Sequence, residues 1–418
     1  MSDVSVVSRR DRRARISASA AFAVQGLSFS AVIAQVTAFR DKYDFSEGQL
    51  TLTLAAVPIV AGVGSVLAGI LAPRVGSAWV LRVATVAEAL LAAVVGADGP
   101  EVAYYLSIGV LGVMVGAVDA TMNMQGTAVQ RRYGRSILAS CHAWWSVAGI
   151  VAAASAIWAG DHGVTLTPYL AAVGALGVVV ALVGAPGLLS KAEEAEEPAA
   201  EVAAGVAQAH QASRRGLVVA GVGTALMVMY IGDSAATSYG TVFMEDALDS
   251  TGGRIQAGLF AYLLLQLVGR VFADRVIGAI GASRTMLTGA LVGVAGFALI
   301  VFSSQWTVAV GGFALMGLGL SVVVPLTFSA ADALDPAGTG TVIAKVNLFN
   351  YAGVIVGAGV IGVVAGEDYA NLRPAFAVPA VLVLLITTLA PVFRVVDRAR
   401  AAARQVHVAP AEEPAATA

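Results

Sequence analysis

VLGVMVGAVDATMNMQG (residues 110–126) and VVAGVGTALMVMYIGDSAATSYG (residues 218–240) are apolar runs that each enclose one carboxylate, Asp119 and Asp233. A membrane-crossing helix needs about 20 apolar residues at about 1.5 Å each. Both runs lie in stretches of that length, 102–128 and 216–244. An ionised side chain at the bilayer centre is costly, so an acid held there marks an ion, proton or substrate path.

The rest of the chain agrees with a membrane setting. Of 418 residues, 58% are hydrophobic and only 12% are charged, where soluble domains carry about 25% charged residues. Twelve spans are expected, over 16–39, 50–72, 78–97, 102–128, 137–160, 168–189, 216–244, 255–277, 284–304, 306–330, 341–366 and 374–394. Five arginines (Arg9, Arg10, Arg12, Arg13 and Arg15) precede a first span too long for a signal h-region, which reads as a retained helix. The formal net charge of −2 identifies no partner, and the single cysteine, Cys141, allows no internal disulfide.

Basic residues set the topology. With both termini cytoplasmic, only Arg40, Lys42, Arg254 and Arg373 of the 25 Lys and Arg fall on the outer side. The expected organisation is a cytoplasmic tail (1–15), a six-helix bundle (16–189), a cytoplasmic linker (190–215), a second six-helix bundle (216–394) and a cytoplasmic tail (395–418). The linker reads KAEEAEEPAAEVAAGVAQAHQASRR from Lys191 and lacks the apolar content of a packed core.

The halves repeat weakly at an offset near 200 residues. FRDKYDFSEGQL (39–50) resembles FMEDALDSTGGRIQ (243–256), and GILAPRVGS (69–77) resembles GRVFADRVIGAIGAS (269–283). The fold class expected is an all-α membrane protein of two six-helix bundles related by a pseudo-two-fold axis, with a binding site between them near mid-membrane.

These features resemble the major facilitator superfamily. Its loop motif G-x-x-x-D-R-x-G-R is kept in part at Gly69, Arg74 and Gly76, with Pro73 in place of the aspartate. It is kept again at Gly269, Asp274 and Arg275, and the resemblance implies a gating role for these six residues. FRDKYDFSEGQL, GAVDATMNMQGTAVQRRYGRSILASCHAWWSVAG (116–149) and GDSAATSYGTVFMEDALDS (232–250) resemble the branch of the fucose/proton symporters and the YbjJ-like proteins. The symporters' acidic-x-x-x-Asn pair in the fourth span matches Asp119 and Asn123. Ser238 and Tyr239 replace the Asp-Trp pair that YbjJ-like proteins carry in the seventh span. Gln25 stands nearest to the first-span acid of the symporters, so sugar transport does not carry over.

Physically, Gly112, Gly116, Asp119 and Asn123 share one helix stripe, which suggests room beside the carboxylate and an amide one turn away. Rise arithmetic puts Asp119 about 18 Å from Arg131 and about 27 Å from Glu101. A carboxyl at that depth can load a proton from one side and release it to the other. Asp119, Asn123 and His142 are therefore the candidates for proton coupling. Asp233, Thr237, Tyr239, Tyr230, Gln25, Trp145, Asn347 and Asn350 are the candidates for substrate contact. Glu88 reads better as helix packing.

The expected function is secondary active transport of a small molecule across the cytoplasmic membrane, coupled to protons, by a chain acting as a monomer. A multidrug or metabolite antiporter is the alternative. An integral-membrane enzyme is more distant, because His142, His162, His210 and His407 are scattered and no catalytic or phosphate-binding constellation is present. No cofactor, metal or nucleic-acid partner is expected; the partners are the substrate, protons and the lipid bilayer.

Overall fold

A computed structural model describes residues 7–45, 47–195, 208–251, 254–335, 338–366 and 372–408. Residues 196–207 of the expected linker and the end of the C-terminal tail lie outside the described residues. The elements of the first half are α1 (Arg9–Ala34), α2 (Val36–Tyr43), α3 (Glu47–Val75), α4 (Ser77–Gly96), α5 (Glu101–Tyr133), α6 (Leu138–Asp161), α7 (Leu166–Gly184) and α8 (Lys191–Ala195). The second half holds α9 (Gln208–Val242), α10 (Arg254–Ile280), α11 (Ala282–Phe302), α12 (Trp306–Leu320), α13 (Val323–Ala333), α14 (Thr341–Ala365), α15 (Leu372–Leu389) and α16 (Arg394–Val408). No strand occurs among the described residues.

Among the described residues, eleven helices are long and apolar enough to cross a membrane, against twelve expected spans. The expected eighth span, 255–277, is α10, a 27-residue helix that packs against α6, α9 and α12. Its second half carries Gln266, Arg270, Asp274 and Arg275.

Helix pairing repeats between the halves. In the first, α1 packs on α6, α3 on α5, and α4 on both α5 and α7. In the second, α9 packs on α14, α10 on α12, and α11 on both α12 and α15. The halves meet through α3 against α14 and α6 against α10, two contacts that exchange under the same pseudo-two-fold relation. The architecture is therefore two bundles of one design facing each other.

Glycines make the tightest approaches. A Cβ at Gly116 would overlap the Ala61 carbonyl oxygen of α3, and one at Gly317 would overlap the Tyr262 carbonyl of α10. The space beside Gly112 and Gly116 is thus filled by the α3 backbone and is not kept open for the Asp119 carboxylate. Such close packing through small residues is how helices associate where lipid gives no hydrophobic drive.

The repeat also shows at the helix starts. Gly76 and Gly281 precede α4 and α11 with φ of 90° and 88°, a left-handed conformation that favours glycine. Asp397 accepts the Ala282 N–H at 2.6 Å and the Ser283 N–H at 3.2 Å. Glu194 of α8 takes the corresponding Ser77 and Ala78 N–H groups. Each half thus places a carboxylate on the positive end of its third long helix. Burial pushes the Glu194 carboxyl above its ordinary value despite these donors. Beside it, Glu193 receives Arg10 Nε at 2.7 Å and Nη2 at 2.8 Å, and the Arg10 bond holds it down to about 2. That pair ties the start of α1 to α8.

Candidate functional site

Asp119 lies on α5 where it faces α14 of the other half. Its Oδ2 accepts the Tyr351 hydroxyl at 3.0 Å and the Asn350 amide at 3.2 Å. Asn347, one turn before Tyr351, donates to Ser65 Oγ of α3 at 3.2 Å, and Ser65 donates to the Ala344 carbonyl at 3.4 Å. One acid from the first half and three side chains of α14 therefore make a polar bridge across the interface, about midway along α5.

Asn123 and His142 sit behind this bridge. The Asn123 amide donates to the Asp119 backbone carbonyl at 2.8 Å, not to its carboxylate. Its carbonyl oxygen lies 3.2 Å from His142 Nε2. The His142 ring stands edge-on to Phe22 at 4.8 Å and stacked on Phe328 of the other half at 6.2 Å. His142 is thus joined to Asp119 through an amide and a main-chain carbonyl.

Asp233 is the centre of a second cluster. It accepts the Tyr262 hydroxyl and the Gln266 amide, the latter at 3.3 Å, while Gln266 also donates to the Tyr262 oxygen at 2.8 Å. Thr237 is exposed and donates to the Asp233 carbonyl at 2.9 Å. Tyr230, half-buried, is an electrostatic neighbour of both Asp119 and Asp233. Tyr239 lies about two turns further along α9, where its hydroxyl donates to the Ala358 carbonyl at 3.0 Å.

One expected substrate contact, Gln25, is engaged between helices of the first half. Gln25 is buried and donates to the Val115 carbonyl at 3.2 Å, stapling α1 to α5. Trp145 is half-buried, with its main-chain carbonyl pressed against Gly26 of α1.

The sequence reading passed over Arg270, Tyr262, Gln266 and Ser146. Arg270 is 6% exposed and its Nη1 donates to Ser146 Oγ of α6 at 2.5 Å, across the interface. The signal was present: Tyr262, Gln266, Arg270 and Asp274 recur every fourth residue along α10, one polar stripe on an apolar helix. Tyr262 and Gln266 serve Asp233, Arg270 reaches α6, and Asp274 continues the stripe toward the end of the bundle that carries α8 and α16.

At that end the halves are joined directly. Asp274 accepts Ser136 Oγ at 2.6 Å and the Ser140 N–H, in the first turn of α6, at 3.0 Å. Arg131 pairs with Asp332 and donates to the Glu194 carbonyl at 3.0 Å. Gln130 donates to Ser329 at 2.9 Å and accepts the Ile137 and Leu138 N–H groups. Of the six residues matched to the loop motif, Gly69 and Arg74 lie inside α3, and Gly269, Asp274 and Arg275 lie inside α10. Gly76 alone lies between helices. Gly69 admits Ala344 of α14 and Gly269 admits Ser321, while Lys191 donates to the Arg74 carbonyl at 3.0 Å and Arg275 lies 5.6 Å from the Phe272 ring.

Glu88 of α4 is fully buried, and neither carboxyl oxygen meets a donor. Asp119 is its electrostatic neighbour. A buried polar group without partners costs about 1–3 kcal/mol. Glu88→Met is therefore expected to raise the melting temperature of the detergent-purified protein by a few degrees; a fall would show that Glu88 has a structural partner.

The comparisons accord with this geometry. The family model of the Major Facilitator Superfamily matches residues 222–414. An uncharacterised transporter of that type from Yersinia pestis is 24% identical over 89% of this chain and 94% of its own length. The membrane protein MosC of Rhizobium meliloti is 26% identical over 82% of each. Among solved structures, the superfamily transporter FucP in its outward conformation superposes with a TM-score of 0.72 at 15% identity, over 92% of this chain and 99% of FucP. The human organic anion transporter MFSD10 gives 0.69 at 14% identity, over 91% and 99%. By its fold, by its relatives and by the family match over residues 222–414, the chain is similar to membrane transporters of the major facilitator superfamily.

Proposed function

We propose that the chain is a proton-coupled secondary transporter of a small molecule, working by alternating access in the cytoplasmic membrane with both termini inside. The observation that carries this reading is the bond from Tyr351 and Asn350 to the Asp119 carboxylate. An acid whose acceptors bind the opposite half links its proton to the relation between the halves. Protonation turns two charge-assisted hydrogen bonds into neutral ones, which are roughly half as strong. The bonds of Asp274, Arg131 and Gln130 join the halves at the end that carries α8 and α16, which supports reading this conformation as inner-closed. FucP, a superfamily transporter seen in an outward conformation, supports the same assignment of state.

Asp233 supports a substrate-side role, with Thr237 exposed beside it. Tyr262 and Gln266 hold the Asp233 carboxylate within one half, so its protonation does not act directly on the interface. Coupling as symport or as antiport with an exported metabolite follows from the same site, and a monomer contains every residue of it. The test is uptake into proteoliposomes of purified protein under an imposed pH gradient, across organic acids, sugars and amphipathic cations. Accumulation that collapses with a protonophore supports the proposal, and equilibration unaffected by the gradient rejects it.

A further inference from the structure

Arg270 stands apart from the other basic residues of the long apolar helices, which lie within about two turns of a helix end. It is about 24 Å from the start of α10 and about 15 Å from its end, hence deep in the membrane. Its exposure is 6%, yet it forms no ion pair among the described residues. One hydrogen bond, to Ser146, engages the guanidinium, and Nε is buried without an acceptor. Asp233 is near enough to act on it electrostatically, but its carboxylate is turned to Tyr262 and Gln266. A guanidinium offers five N–H donors in a fork that matches an oxyanion. Burying one with donors unused is costly unless an anion completes it.

We propose that Arg270 binds an oxyanion of the transported molecule, so that the substrate class is small organic acids held by carboxylate or phosphate oxygens. The inference rests on the transporter reading above and names its substrate chemistry. Ser146 from the first half and Arg270 from the second hold the site between them, so the anion seats where the halves meet. Tyr230, Tyr262 and His142 are further neighbours of the guanidinium, and these rings suit an acid with an aromatic or apolar body. Arg270 and Asp233 on adjacent helices allow recognition of an acid that also presents a hydrogen-bond donor.

The test is equilibrium binding to detergent-purified protein, by calorimetry and by thermal stabilisation, without any gradient. The probes are benzoate and phenyl phosphate, with benzamide and benzyl alcohol as uncharged counterparts. One or both anions are expected to bind and stabilise the protein, and the uncharged pair to do neither. The tighter of the two anions identifies the oxyanion. Arg270→Gln is expected to weaken binding about 10- to 100-fold, the loss of a charged hydrogen-bond donor, and Arg270→Lys to recover part of it. The proposal is overturned if neither anion binds, if the uncharged analogues bind as well, or if Arg270→Gln binds like the unaltered protein. Should Arg270→Gln fail to fold, the comparison of benzoate with benzamide on the unaltered protein decides alone. Failure here leaves proton coupling through Asp119 standing, because no proton gradient enters the measurement.

Discussion

Asp119→Asn is expected to abolish gradient-driven accumulation while leaving substrate exchange across the membrane. Asparagine keeps the shape of the side chain and an oxygen that accepts from Tyr351 and Asn350, so the interface of α5 and α14 can still form. What it lacks is a proton to gain or lose. With one proton carried per substrate, a pH difference of one unit supports about a tenfold concentration ratio, since one pH unit is about 1.4 kcal/mol. The variant should settle at a ratio near one under the same gradient. Counterflow of labelled substrate should continue, because it needs both conformations but no net proton movement. Accumulation at full level in Asp119→Asn proteoliposomes would remove Asp119 from the coupling path. Tyr351→Phe separates the two contributions: it keeps the proton and loses one cross-interface bond, so accumulation should persist with an altered pH dependence.

Asp274→Ala is expected to open the inner end of the bundle. Its carboxylate joins the last turns of α10 to the first turn of α6, through the Ser136 hydroxyl and the Ser140 N–H. Charged hydrogen bonds contribute about 1.5–3 kcal/mol, with roughly 0.3–1 kcal/mol more for an anion at a helix start. Removing them shifts the balance toward the inner-open state by about 10- to 100-fold. Adding Asp332→Ala, which breaks the pair with Arg131, should move the balance further. The reporter is the rate at which a cysteine replacing Ser140 reacts with a membrane-impermeant thiol reagent from the inner face, in a Cys141→Ser background. Faster labelling in Asp274→Ala is the expected result. Unchanged labelling would mean that these contacts only decorate the closed end.

Much of this was legible in the sequence because the bilayer makes polar residues conspicuous. Asp119, Asp233, Asn347 and Asn350 stand out in apolar runs, and all four hydrogen-bond to buried polar groups. Which acid meets which partner was not legible. Asp119 bonds to Tyr351 across 232 positions of sequence, a pairing set by the packing of α3 and α5 on α14. The glycines beside Asp119 misled for a related reason: a missing side chain shows a vacancy, and only the fold shows that the α3 backbone fills it. Arg270 was overlooked although its stripe is regular, because the segment around it reads as a loop motif. In the structure that segment is the end of α10, and the turn comes at Gly281, the counterpart of Gly76. Gln25 shows the converse case, a polar residue in a candidate position that is spent on joining two helices.

The central claim is that the proton on Asp119 sets the relation between the two halves. Pulsed electron–electron resonance between spin labels at Gln130 and Ser329, which meet at 2.9 Å across the inner interface, reads that relation directly in liposomes. With both labels on helices that flank the closed end, a short distance reports the inner-closed state. Lowering the pH should weaken the bonds from Tyr351 and Asn350 and increase the population with a long inner distance. In Asp119→Asn the two populations should no longer change with pH. A distance distribution that shifts with pH equally in Asp119→Asn, or that does not shift in the unaltered chain, would contradict the account.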